Sequence, residues 1–219
     1  IKNIQKLDTF LKKRNIRWSL VSKVLSGDEE FLKKILTDNV VERLHSVGES
    51  RLSSLKNIKK VNPDITTIYI KPPAKPLARQ IVECADISVN TSADTIETLN
   101  KEAKKQKKIH KVIIFLELGE LREGVLRENI VDFYKRVFNL SNIQIIGIGS
   151  NLGCMYGIEP TYDKLVQLSL FKQLLEETFD KKIDLISGGS SITLPLIKKN
   201  LVPKSINHFR IGEAAFFGT

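Results

Sequence analysis

Lys23 is the residue of this sequence whose type and position point most directly to chemistry. It stands near the end of an apolar run, residues 18–24, and a helix-like stretch follows. This pattern predicts the first strand of an α/β protein, with an amine at the carboxyl end of that strand. Active sites of α/β barrels lie at this end of the strands. An amine that is partly desolvated there can act as a nucleophile and form a Schiff base.

Small and polar residues also follow several later strand-like runs. They occupy the segments 117–124, 147–151, 187–191 and 210–213. Because the carboxyl ends of parallel strands meet at one face of a barrel, we expect these segments to surround the same ligand as Lys23.

The segment 187–191, which reads SGGSS, has the composition of an anion site. It opens a helix near Ile192. Small residues let backbone N–H groups approach an anion, and the hydroxyls add donors. Gly212 allows the same close approach from the neighbouring strand. The pattern is therefore typical of a phosphate site, and a plain glycine-rich turn is the alternative interpretation.

Two arginines accompany these segments. Arg210 lies on the eighth strand-like run and keeps its charge and its fixed set of donors. It either faces the ligand or is an ordinary surface charge. Arg122 stands between two glutamates, so it either clamps a carboxylate or forms an ion pair with Glu120 or Glu123.

The elements that must position these groups alternate along the chain. Eight strand-like runs occur at residues 17–24, 40–47, 66–70, 86–90, 111–118, 143–149, 183–187 and 208–213. Helix-like stretches occur at residues 1–13, 28–36, 49–58, 76–84, 93–105, 128–138, 162–179 and 192–199. This alternation is typical of parallel strands covered by helices. Eight such units in 219 residues favour an α/β fold of the closed (β/α)8 TIM-barrel type over an open sheet.

The composition narrows the class of protein. The net charge of +10 favours anionic ligands, but the lysines are dispersed along helix-like stretches with few aromatic residues between them. We therefore expect a solvated basic surface and no nucleic-acid partner. Cys84 and Cys154 form neither a CxxC pair nor a His/Cys cluster, so we expect a reduced, cytoplasmic protein without a metal site. We expect no membrane association, because no apolar run reaches about 20 residues.

Together these motifs resemble the fold-type III pyridoxal phosphate (PLP) enzymes, that is, the alanine racemase N-terminal barrel and its relatives. The resemblance runs nearly end to end. It is carried by Ser22-Lys23-Val24 and by the segments 118–124, 147–154, 187–191 and 210–214. The motifs GIGSNLGC, GGSS and RIGEA are most similar to those of the ornithine racemase branch of this family.

The resemblance implies a PLP-dependent amino-acid racemase and a role for each residue. Lys23 would form the Schiff base with PLP and act as one proton-transfer base, and Arg122 would support the site near the substrate carboxylate or the cofactor's phenolic oxygen. Arg210 would face the pyridine nitrogen and keep it unprotonated, and Asn151 would pack on the ring. The residues expected to hold the phosphate are Ser190, Ser191, Gly212 and Glu213.

The sequence departs from the family pattern in several places. Phe115 stands where the racemase has a modified lysine, and Asn151 replaces the more usual histidine. The second base of two-domain members is a tyrosine on a C-terminal β-domain of a partner subunit. We therefore expect residues 1–219, which do not contain that β-domain, to be the barrel portion of a longer, homodimeric racemase. Tyr156 and Tyr162 are local alternatives for the second base.

Two other interpretations remain open at this point. The chain could be a single-domain, non-catalytic PLP-binding protein for cofactor homeostasis, or a basic barrel that binds nucleic acid. A small amino acid is the expected substrate. Glu120, Glu123 and Glu159 could pair with a cationic substrate side chain, which would favour a basic amino acid such as ornithine, or they are surface charges.

Overall fold

Eight parallel strands close into a barrel in the order in which they occur along the chain, as the prediction had it. The structure is a computed structural model that describes residues 1–154 and 157–218. Each strand pairs with the next, and β8 pairs with β1. The strands are β1 Arg17–Val21, β2 Ser46–Glu49, β3 Thr67–Tyr69, β4 Ile87–Asn90, β5 His110–Phe115, β6 Ile143–Gly149, β7 Leu185–Ser187 and β8 His208–Ile211.

Helices connect the strands and cover the outside of the barrel. They are α1 Lys2–Lys12, α2 Glu29–Ile35, α3 Asp38–Val41, α4 Leu52–Val61, α5 Ala78–Cys84, α6 Ala93–Lys105, α7 Ile130–Val137, α8 Tyr162–Phe179, α9 Leu194–Lys198 and α10 Glu213–Phe217. Short 3-10 turns precede several of them. Within the two described ranges, no helix is long and apolar enough to cross a membrane.

The predicted second strand, residues 40–47, was placed too early. Val40 lies in helix α3, and the strand runs over Ser46–Glu49 instead. Helix α3 is a single turn that begins after Thr37, and Val40 and Val41 both lie in it. The apolar residues at the start of this stretch therefore belong to a helical turn.

The predicted strands at the site also end earlier than expected. β1 stops at Val21, so Lys23 lies in a 3-10 turn, Lys23–Leu25. β8 stops at Ile211, and Glu213 begins helix α10 rather than ending the strand. The functional segments are thus loops and turns on the barrel rim, where the backbone has left the sheet.

The interior of the barrel has an apolar side and a polar side. Side chains alternate between the two faces of a strand, so every second residue points inward. Inward residues on one side form a separate apolar cluster that includes Ile68, Val89, Ile113, Phe115 and Leu185. The remaining side, on β7, β8, β1 and β2, carries buried polar residues: Ser187, His208, Arg210, Ser19 and Ser46.

Candidate active site

One cavity of about 750 Å³ opens at the carboxyl ends of the strands. All eight of the predicted site residues line it: Lys23, Arg122, Asn151, Ser190, Ser191, Arg210, Gly212 and Glu213. These residues come from five segments that are far apart in sequence, four of them loops or turns and one the end of β8 with the turn after it. Closure of the barrel brings them together, as parallel strands require.

Lys23 reaches the cavity from the turn that follows β1. Its side chain is exposed, and the same cavity is lined by Ser191 and Gly212. An amine in this place is open to a small molecule in the cavity. A second lysine, Lys198 near the end of α9, lines the cavity as well.

The loops after β7 and β8 meet at the rim of the same cavity. The Ser191 hydroxyl accepts a hydrogen bond from the backbone N–H of Ala214 at 3.2 Å. Gly212 lies so close to β1 that a Cβ there would stand 2.9 Å from the Val21 carbonyl oxygen. Only glycine lets the two chain segments approach in this way, and the result is a tight rim of backbone and hydroxyl groups.

Arg210 supplies a buried positive charge at the base of the cavity. It is 5% exposed, donates to the Ser150 carbonyl at 2.9 Å, and donates from Nη1 to the Ser187 hydroxyl. Burial lowers the pKa of Arg210 to about 10, and the nearby charges of Glu123 and Cys154 act in the opposite direction. The guanidinium therefore stays charged at neutral pH, and the interpretation as a surface charge is wrong.

The loops after β5 and β6 also line the cavity. Asn151 donates to Glu123 Oε1 at 3.1 Å, and Arg122 donates to the Cys154 thiol. Glu120 is buried and accepts the backbone N–H groups of Gly153 and Cys154 at 3.1 and 3.0 Å. Glu120 thus fixes the loop that carries Asn151 and Cys154.

The two candidate tyrosines differ in what the structure describes. Tyr162 begins helix α8, is half exposed and is absent from the cavity lining. Tyr156 lies outside the described residues. Glu159 is exposed and also does not line the cavity.

Sequence reasoning missed the polar residues beneath Arg210. Ser187 and His208 join Ser19 and Ser46 in a continuous series of buried hydrogen bonds. The available signal was the spacing of His208 and Arg210, which stand two apart on one strand and therefore share its inner face. Phe115, which the sequence analysis named only as a departure from the family pattern, lines the cavity.

The fold is that of the alanine racemase N-terminal barrels. The family model described as "Alanine racemase, N-terminal domain" matches residues 34–219. The chain belongs to this family, as the resemblance of its motifs predicted.

Two curated relatives narrow the comparison. The chain is 34% identical over 217 residues to an ornithine racemase of Acetoanaerobium sticklandii. This match covers 96% of this chain and 59% of that protein. It is 28% identical over 216 residues to a lysine racemase of Thermotoga maritima. That match covers 99% of this chain and 59% of the lysine racemase. The chain thus spans about three fifths of the length of these relatives.

Solved structures share the fold at low identity. An alanine racemase of Clostridium difficile 630 in complex with cycloserine superposes with a TM-score of 0.74 at 13% identity, over 99% of this chain and 59% of that one. PipY of Synechococcus elongatus PCC7942 without PLP gives 0.78 at 17% identity, over 98% of both chains. The same protein with PLP bound gives 0.74 over 92% of both.

Proposed function

We propose that this chain is the PLP-binding barrel of an amino-acid racemase. One observation carries the proposal: a single cavity is lined by an accessible lysine amine, a glycine- and serine-rich rim and a buried arginine. The matched family, and relatives named ornithine racemase and lysine racemase, support this assignment.

The residues present fit this cofactor. The cavity of about 750 Å³ lies within the range of small-molecule sites, roughly 300–1,000 Å³. The donors on its rim suit a phosphate, and the amine of Lys23 suits an aldehyde. Arg210, which remains a cation and a hydrogen-bond donor at neutral pH, suits an acceptor nitrogen.

The resemblance to the family gives each of these residues a role. Ser190, Ser191 and the backbone of Gly212 and Glu213 would hold the phosphate, and Arg210 would face the ring nitrogen. Asn151 would pack on the ring face, and Arg122 would lie near the substrate carboxylate or the cofactor's phenolic oxygen. Lys23 would bind the aldehyde through its amine and would move the α-proton on one face of the substrate.

The cofactor supplies the chemistry that side chains lack. When bound, PLP acidifies the α-proton of an amino acid, because the negative charge left behind delocalises into its π-system. Arg210 keeps its own proton and so leaves the ring nitrogen unprotonated, which weakens this electron withdrawal and disfavours transamination.

Glu123 is the best candidate for recognition of a cationic substrate side chain. Of the three glutamates considered, Glu120 is buried against the backbone of the next loop and Glu159 does not line the cavity. Glu123 lines it and is only partly buried. We therefore propose a basic amino acid, of the ornithine or lysine type, as the substrate.

A non-catalytic PLP-binding protein is the second candidate. The structure of PipY with PLP bound, which this chain matches over 92% of both chains, supports the PLP-binding part of this candidate. The position of Tyr162, which does not line the cavity, is consistent with a missing second base. A homodimeric assembly, a cytoplasmic location and the absence of a nucleic-acid partner stay predictions from the sequence.

An absorbance spectrum tests cofactor attachment. We expect the protein mixed with PLP to show a band near about 420 nm from the Schiff base, which borohydride removes. Lys23→Ala should abolish the band, whereas Lys198→Ala, a change of another lysine that lines the same cavity, should keep it. A band that survives Lys23→Ala and is lost in Lys198→Ala would sink the assignment of Lys23.

Proton exchange in heavy water separates the two candidate functions. We expect the α-proton of L- and D-ornithine to exchange in the presence of the PLP-loaded protein. Exchange together with inversion supports the racemase. No exchange with ornithine, lysine or alanine would favour the non-catalytic protein.

A further inference from the structure

The series of buried hydrogen bonds beneath Arg210 crosses the polar side of the barrel. Arg210 donates to Ser187, the Ser187 hydroxyl lies 2.8 Å from His208 Nδ1, and His208 Nε2 lies 2.9 Å from the Ser19 hydroxyl. Ser19 in turn lies 2.6 Å from the Ser46 hydroxyl. All five residues are at most 5% exposed.

The arginine fixes the direction of the first bond in this series. A guanidinium has donors and no acceptor, so the Ser187 oxygen accepts from Arg210. Among the described residues, His208 Nδ1 is the acceptor that lies within hydrogen-bond distance of the Ser187 hydroxyl, and this favours donation of the Ser187 proton to it. A neutral imidazole that accepts at Nδ1 carries its proton on Nε2. That proton is donated to Ser19, whose hydroxyl then donates to Ser46.

We propose that His208 is a positioning residue. It is a neutral imidazole protonated at Nε2, and it holds the Arg210 guanidinium in place through the Ser187 hydroxyl. The part that concerns the cofactor rests on the proposed function. The tautomer itself depends only on this chain.

The surroundings of His208 all favour the neutral form. The rings of His45 and His208 meet edge to face with their centroids 4.9 Å apart. Burial is the main cause that lowers the pKa of His208 well below its usual value, and the charges of His45, Arg210 and Arg17 act in the same direction. A protonated His208 would also place a second donor against the Ser187 oxygen and leave the Ser187 proton without its acceptor.

The effect on Arg210 is geometric. Its guanidinium has the Ser150 carbonyl on one nitrogen, the Ser187 oxygen on another and the Phe115 ring against its face. A serine hydroxyl rotates freely unless its proton has a fixed acceptor. His208 supplies that acceptor, so it fixes the lone pair of Ser187 that Arg210 uses.

NMR of the cofactor-free protein tests the tautomer. The chain has three histidines, so 15N-histidine labelling with His45→Gln and His110→Gln for assignment identifies the His208 signals. We expect the pattern of an Nε2–H imidazole, unchanged between pH 5 and 8, and a change of the Nδ1 shift in Ser187→Ala. An Nδ1–H pattern, or a titration in this pH range, would overturn the proposal.

The bound cofactor provides the second readout. His208→Phe and His110→Phe each remove one buried histidine that hydrogen-bonds a serine, but the structure connects His110 to Ser88 and not to Arg210. We expect the pH midpoint of the bound PLP absorbance to move by about one unit in His208→Phe, which is the size of effect of a displaced neighbouring charge. In His110→Phe the midpoint should stay in place.

The outcomes distinguish this inference from the proposed function. Equal shifts in both variants, or none in His208→Phe, would contradict positioning by His208. If His208→Phe fails to fold, the smaller truncation Ser187→Ala is measured in its place, with the same expected shift. If the unmodified protein binds no PLP, the proposed function fails while the NMR measurement still decides the tautomer.

Discussion

The guanidinium carbon of Arg210 lies 4.5 Å from the centroid of the Phe115 ring. Phe115 is the last residue of β5 and belongs to the apolar cluster inside the barrel, while Arg210 belongs to its polar side. Their contact is the place where the two sides of the barrel interior meet directly below the cavity. A cation stacked on an aromatic ring in a buried site gains more than the same pair in water.

Phe115 should therefore matter both for stability and for the site. Phe115→Ala removes a fully buried ring, and we expect a loss of about 3–5 kcal/mol in the free energy of unfolding. Phe115→Leu, which retains apolar volume but no ring face, should lose less stability and still disturb Arg210. Urea denaturation measures the first effect. Equal stability of Phe115→Ala and the unmodified protein would show that the interior packing is different.

Stability should fall in mildly acidic solution because of the histidines. Burial lowers the pKa of His110 to about 4, and burial together with Arg17 lowers that of His45 to about 4 as well. Between pH 6.5 and 4 the unfolded chain thus binds more protons than the folded one, so stability is full above pH 6.5 and is lost as the pH falls. The slope is at most about 1.4 kcal/mol per pH unit for each histidine.

Urea midpoints between pH 7.5 and 4.5 measure this slope. The carboxyl group of Asp94 titrates at a lower pH, because Arg136 and Lys75 bring its pKa to about 2, so it does not contribute in this window. His110→Phe should make the slope shallower. A midpoint that rises on acidification would contradict the burial of the neutral histidines.

Ser191 should contribute to cofactor affinity. Its hydroxyl lies on the cavity rim beside the Ala214 N–H, and a hydrogen bond to a charged group contributes roughly 1.5–3 kcal/mol. We expect Ser191→Ala to weaken PLP binding by about tenfold or more in equilibrium titrations. Ser169→Ala removes a hydroxyl from helix α8, where it pairs with Ser205, and should leave the affinity unchanged. Equal affinities of all three proteins would place the phosphate elsewhere.

Glu123 should determine the preference for a cationic side chain. In Glu123→Gln the carboxylate charge is lost while the acceptor for Asn151 is kept. We expect kcat/KM for ornithine to fall by about tenfold or more, as for a lost charged contact, with little change for alanine. Glu159→Gln is the matched control, because Glu159 does not line the cavity. Equal decreases of kcat/KM for alanine and ornithine would show that Glu123 does not recognise the cationic side chain.

The barrel itself was predictable from the sequence because its strands are buried on both faces. Runs such as residues 112–116 are apolar throughout, which is typical of parallel strands under helices. The same rule failed at residues 40–47, since an apolar run does not distinguish a strand from a turn of helix without its periodicity. Val40 and Val41 belong to a four-residue turn, Asp38–Val41, which is too short to show a helical period.

The rim of the site was predictable for a related reason. Glycine, serine and arginine at the ends of parallel strands converge in any closed barrel, so Lys23, Ser191 and Arg210 could be assigned to one cavity before the strand register was known. The hydrogen-bonded polar residues beneath the rim could not be predicted from the sequence. Whether Ser19, Ser46 and Ser187 face one another depends on the register between β1, β2, β7 and β8, which no local pattern encodes.

The most direct test of the account is to find which lysine holds the cofactor. The protein is loaded with PLP, reduced with borohydride and digested, and the modified peptide is identified by mass spectrometry. We predict a single stoichiometric label on Lys23 and none on Lys198, although both line the cavity. A label on Lys198, or one spread over surface lysines, would contradict the proposed site and with it the proposed function.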